Sequence, residues 1–216
     1  MDRFVRFGLW SGAVGGVLLV AGAGLAWAMA AGRPLSMQAL TTAFVMASVL
    51  RLAGAMAMLL GITGLVAGAS TRGGRMLYVA YTLCVVDLFL QAGWMFTDLF
   101  LSDTMARRAP DVLDGTASSP GRLDQGFLLA WVLNLAFVVL ALVLWRTRTS
   151  PRTTWIALLV GGALTVVPLP IDGMGYEVLI GISFTVALVA ALRSEGRVDI
   201  SESLASTQTR TTAAVD

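Results

Sequence analysis

The stretch that decides the fold runs from Met76 to Leu101, MLYVAYTLCVVDLFLQAGWMFTDLFL. It is long and apolar enough to cross a bilayer, which takes about 20 residues, yet it carries Asp87, Gln91, Trp94 and Asp98 at spacings of four, three and four. At about 100° per residue these side chains share one face of a helix, with Cys84 at its edge. A carboxylate near the centre of a lipid-spanning helix is costly, so this face is expected to turn toward protein or water. The other helices then have to supply what it faces.

Composition places the whole chain in the same class. Of 216 residues 57% are hydrophobic and 13% charged, with a mean hydropathy of +0.80. Soluble domains carry about twice that charge. Several near-chargeless runs approach or exceed the length of a membrane span. All 15 basic residues are Arg and there is no His. The lack of Lys excludes a Schiff-base lysine, and the lack of His removes the commonest proton shuttle and metal ligand. A single cysteine, Cys84, permits neither an internal disulfide nor a Cys-rich metal site. No P-loop and no His-Glu-x-x-His motif is present, and no basic patch outside short loops suggests nucleic acid. No metal and no cofactor is expected.

Working outward from 76–101, the pattern predicts an all-α, polytopic bundle of six spans, at about 8–30, 51–69, 76–101, 126–145, 154–170 and 177–192. The first run follows Arg3 and Arg6 and exceeds a signal-peptide core of about 7–15 residues, so it is expected to stay as a helix. Gly8, Gly12 and Gly16 recur on one of its sides, and Gly54, Gly61, Gly64 and Gly68 give the second span a small-residue face. Such faces suit close packing inside the monomer, with homo-oligomerisation as the alternative. The stretch 37–70 is too long for one straight span, so 37–50 is expected to be interfacial or re-entrant, with a break at Arg51. A long tilted helix is the other reading. Residues 102–125 read as a polar loop, and 193–216 as a disordered, Ser/Thr-rich tail.

Six spans put both termini on one side of the membrane. That side owns Arg3, Arg6, Arg72, Arg75, Arg146, Arg148, Arg152, Arg193, Arg197 and Arg210, against Arg33, Arg51, Arg107, Arg108 and Arg122 on the other. The imbalance predicts cytoplasmic termini in a bacterial-type plasma membrane. Asp87 then lies near mid-membrane, while Arg51, Asp98, Asp172 and Glu177 lie near the outer ends of their helices. Trp94 and Trp131 fall about one turn below that level, with Asn134 a turn deeper. Together these residues predict a polar, aromatic-walled pocket open to the outside with Asp87 at its floor. Arg51 and Asp98 are also expected as an ion pair, Glu177 as a helix N-terminal residue favoured by the macrodipole, and Asn134 as a hydrogen-bonding partner for a neighbouring helix. Trp10, Trp27, Trp145 and Trp155 read as interface anchors. No charged residue shares the depth of Asp87, which makes it a candidate proton donor, with Asp98 and Glu177 as further candidates.

Arg51-Leu52-Ala53-Gly54 before a Gly-rich span, with Arg148, Thr149, Pro151, Arg152 and Trp155, resembles small six-span membrane proteins of high-GC bacteria. Most of those have no assigned function. A fainter resemblance is to the small integral-membrane terpene cyclases. Those are helical bundles thought to protonate a prenyl chain with acidic residues in an aromatic pocket, and no motif of theirs assigns a residue here. Three readings follow: a bundle that binds a lipid, an apolar small molecule or a partner protein; a membrane-embedded acid-initiated cyclase or isomerase of a prenyl-type substrate; and a small proton-coupled transporter using Asp87.

Overall fold

The computed structural model describes residues 3–30, 32–115, 132–165 and 175–194; Asp172, Trp131 and the tail from 195 onward lie outside them. It is helical throughout, with no strand among the described residues. The helices are α1 Arg3–Ala30, α2 Leu35–Ala39, α3 Thr42–Ala69, α4 Gly74–Phe100, α5 Ser102–Arg108, α6 Pro110–Leu113, α7 Leu135–Thr147, α8 Arg152–Leu164 and α9 Gly175–Ser194. Four of them, α1, α3, α4 and α9, are long and apolar enough to cross a membrane. Where the fourth and fifth spans were expected, the described residues form the shorter apolar helices α7 and α8, each 13 residues and about 20 Å long, so four candidate spans are shown and not six. Residues 126–131 and 166–170, expected to belong to those spans, fall outside the described residues.

The expected break at Arg51 is not there. The helix begins at Thr42, whose predecessor Thr41 caps it by accepting the Phe44 N–H at 3.2 Å, and it runs 28 residues without interruption. Arg51 does not end the helix because its charge is met by protein, as described below. Residues 102–115, expected as loop, instead form α5 and α6, which pack with α2 as a small cap. Ala106 and Leu113 close on Ala39, Phe44 and Leu35. The Asp114 carboxylate fastens this cap by accepting both the backbone N–H and the Oγ–H of Ser36, each at 2.7 Å.

Cross-helix contacts fix the directions. Thr63 meets Tyr81 at 3.2 Å and Arg51 meets Asp98, so α3 and α4 are antiparallel. The chain turns between them at Gly74, which adopts φ 58°, ψ −162°. An L-residue is strongly disfavoured there, at a cost of about 1–3 kcal/mol. A Cβ at Gly74 would meet nothing within 4 Å, so Gly74→Ala tests backbone strain alone. It is expected to lower the midpoint of thermal unfolding by several degrees, measured in detergent.

The seam of α1 against α3 and α9 is lined by small residues. A Cβ on Gly8 would come within 2.8 Å of the Leu60 carbonyl, and one on Gly15 within 2.7 Å of the Gly54 carbonyl. Gly16 lies against Gly181 and Thr185 of α9. These glycines therefore pack helix on helix within one chain. On the far side, α8 joins α9 where Thr154 donates to the Ala187 carbonyl at 3.1 Å, and α7 joins α9 through the Phe137–Phe184 edge contact at 6.0 Å. The start of α1, the Gly74 turn, the α7–α8 loop and the end of α9 thus gather at one end of the bundle. The cap lies at the other.

Candidate functional site

Two polar groups occupy the apolar interior, both built on α4. The first is an ion cluster at the level where α4 ends and α9 begins. Arg51 of α3 retains 1% exposure, although it lies nine residues inside its helix. Its Nε donates to Glu177 Oε2 at 2.6 Å and its Nη2 to Glu177 Oε1 at 2.5 Å, a two-pronged fork. Its Nη1 donates to Asp98 Oδ2 at 2.9 Å. The planar guanidinium allows this, because its N–H groups diverge in one plane and match a carboxylate edge-on. Gly22 of α1 makes room for the stem: a Cβ there would lie 2.8 Å from Arg51 Cγ. Four helices therefore meet at one arginine.

The expected Arg51–Asp98 pair is present, and Glu177, in the first turn of α9, is more than a residue favoured by the helix dipole. The stronger, bidentate half of the cluster belongs to it. Position in the fold explains this. Arg51 sits deep in α3 while Asp98 and Glu177 sit near helix ends, so the two carboxylates reach one cation from the same level.

The second group lies about 16 Å further along α4, eleven residues deeper than Asp98. Asp87 is fully buried. Gln91 Nε2, one turn along α4, donates to Asp87 Oδ2 at 3.0 Å and to Asn134 Oδ1 at 2.9 Å. Asn134 stands just ahead of α7, so Gln91 bridges two helices, as the polar character of Asn134 suggested. The other carboxylate oxygen, Asp87 Oδ1, is buried with no hydrogen-bond partner. Most buried polar atoms in folded proteins do have one. Cys84, one turn away, is buried too.

Of the remaining candidates, Trp94 shares the face of Gln91 but stays 41% exposed, while Asp172 and Trp131 lie outside the described residues. The structure thus brings Arg51, Asp98 and Glu177 into one cluster and Asp87, Gln91 and Asn134 into another. The single pocket expected from helix depth is thus two separate clusters among the described residues. Among the buried polar residues that the sequence did not single out is Ser48, one turn before Arg51, whose Oγ has no partner. Its spacing to Arg51 was the available signal. Among the described residues no three metal-ligating side chains converge. Comparison with protein-family models, with curated proteins and with solved structures finds no match to this chain.

Proposed function

We propose that this is a multi-pass membrane protein that binds the polar head of an amphipathic or lipid-like molecule at Asp87, Gln91 and Asn134. In this reading the Arg51–Asp98–Glu177 cluster holds the helices around that site. One observation supports it above all: Asp87 Oδ1, fully buried in a helix long and apolar enough to cross a membrane, has no hydrogen-bond partner. A buried polar atom left without a partner costs about 1–3 kcal/mol. Retaining such an atom in lipid marks a functional position, and as a carboxylate oxygen it is satisfied by a hydrogen-bond donor. A hydroxyl or amine head on an apolar tail supplies one and enters from the bilayer. In this reading the end holding the start of α1 faces the cytoplasm, which its excess of arginine supports, and the capped end faces outward.

Asp87→Leu in the full-length protein is the test. It removes the unfilled acceptor and leaves the Gln91–Asn134 bond in place. The variant is expected to melt higher than the parent once both are stripped of lipid, because the unsatisfied atom is gone. It is also expected to lose a hydroxyl- or amine-bearing amphiphile that mass spectrometry finds in extracts of the parent. A lower melting point with an unchanged lipid complement would make Asp87 a structural residue and end this reading. Asp87→Asn separates the remaining alternatives. If it still binds the amphiphile but no longer converts it, the site is an acid-initiated cyclase or isomerase. If transport in proteoliposomes continues but ignores the proton gradient, it is a carrier.

A further inference from the structure

The last turn of α7, the loop 148–151 and the first residue of α8 carry Arg146, Arg148 and Arg152 and no acidic side chain. Charge alone would set membrane orientation, and that role requires no particular shape. This loop has one. Trp145 in the last turn of α7 and Trp155 in the first turn of α8 bring their rings to 5.9 Å at 44°. With Arg148, Ser150 and Arg152 they line a cleft of about 370 Å³.

Three further features distinguish this cleft. Arg148 is held at φ 51°, ψ 34°, where among the described residues no other non-glycine has a positive φ. Long side chains are uncommon in that region. Ser150 Oγ is buried with no hydrogen-bond partner. Finally, α8 starts behind Pro151 with no side-chain cap and no acidic residue in its first turn, so its positive end is uncompensated. Neither Arg148 nor Arg152 forms an ion pair among the described residues.

We propose that this cleft binds the phosphate of an anionic phospholipid headgroup. Arg148 and Arg152 contact the phosphate oxygens, the Ser150 hydroxyl donates to one of them, and the two indoles flank the glycerol. A lipid suits the site better than free phosphate for two reasons. Two amphipathic indoles border it, as is typical at headgroup depth. Leu142, one turn before Trp145, is exposed along the same apolar helix and offers a track for an acyl chain.

The test is native mass spectrometry of the full-length protein released from vesicles containing phosphatidylglycerol and phosphatidylcholine. The parent is expected to retain phosphatidylglycerol in preference. Arginine–phosphate contacts are charge-assisted, so Arg148→Asn with Arg152→Gln should cut retention about tenfold or more. Asn is chosen at 148 because it tolerates a positive φ. Ser150→Ala should reduce retention as well, whereas Arg146→Gln, outside the cleft, should leave it unchanged. Melting curves establish that each variant is folded, and if the double variant is not, Ser150→Ala and Arg152→Gln alone decide. Anion binding at this cleft is overturned by any of three results. The parent shows no preference for phosphatidylglycerol, Arg146→Gln lowers retention as much as the cleft variants, or Ser150→Ala raises the melting point with retention unaltered. Displacement of the lipid by millimolar inorganic phosphate would make the site one for free phosphate and overturn the lipid assignment.

Discussion

Arg51→Met alone is expected to leave the protein unable to assemble stably, whereas the same change combined with Asp98→Asn and Glu177→Gln should recover most of the loss. Removing the guanidinium strands two carboxylates that are largely sheltered from water, with side-chain exposures of 16% and 18%. Breaking one side of a buried pair costs about 3–5 kcal/mol, out of a total stability of about 5–15 kcal/mol for a domain. Replacing every charged member by a neutral one of similar volume removes both the attraction and the desolvation cost, and is often close to neutral. The recovery in the triple variant is therefore the informative half. Arg51→Lys should fall between, because an ammonium cannot reproduce the fork to Glu177. Thermal unfolding in detergent, with the yield of monodisperse protein, reads all three. A single Arg51→Met variant melting within a degree or two of the parent would show that the cluster does not hold the helices together.

The charge cluster shows how far a sequence of this kind can be read. The topology alone put Arg51, Asp98 and Glu177 at one depth, because helix length converts residue number into height in the membrane. Height says nothing about azimuth, so it could not tell which carboxylate would take the bidentate position, nor that Gly22 would admit the stem. The same gap explains the break expected at Arg51. A lone arginine in an apolar run marks a helix end when it has to reach water, but two partners from distant segments remove that need. Partners 47 and 126 residues away leave no local trace. Asp87 was legible as a carboxyl without a charged partner, since the count of charges at its depth sufficed. Its link through Gln91 to Asn134 depended on how α7 rotates against α4, which an apolar run with little periodic contrast does not record. The cap of α2, α5 and α6 was missed because its polar, Asp- and Arg-rich sequence looks like loop until the Ser36–Asp114 contact closes it.

Gly15→Val is expected to be strongly damaging although the site has no chemistry of its own. The Cβ would come within 2.7 Å of the Gly54 carbonyl oxygen and the Met58 nitrogen, and a Cβ on Gly54 would meet Gly15 and Leu19 backbone atoms at 2.8 Å. Both walls are main chain within helices, so no rotamer change relieves the clash and α1 has to move away from α3. Overpacking of this kind costs about 1–3 kcal/mol, occasionally more. Two turns further along α1, Gly22 lies against Arg51 Cγ and the Ala47 carbonyl, each 2.8 Å from where its Cβ would stand. Displacing α1 therefore loosens the packing that fixes the Arg51 stem, and the two interactions should couple. Gly15→Val combined with Arg51→Met should cost less than the sum of the single changes, by more than the ~0.5 kcal/mol expected of independent sites. Gly24→Ala is the control. It lies on the same helix with nothing within 4 Å of its would-be Cβ, and alanine is the better helix former by about 1 kcal/mol, so it should leave the melting point unchanged or raise it. Equal melting points for Gly15→Val and Gly24→Ala would mean that close approach of α1 and α3 is not what positions Arg51.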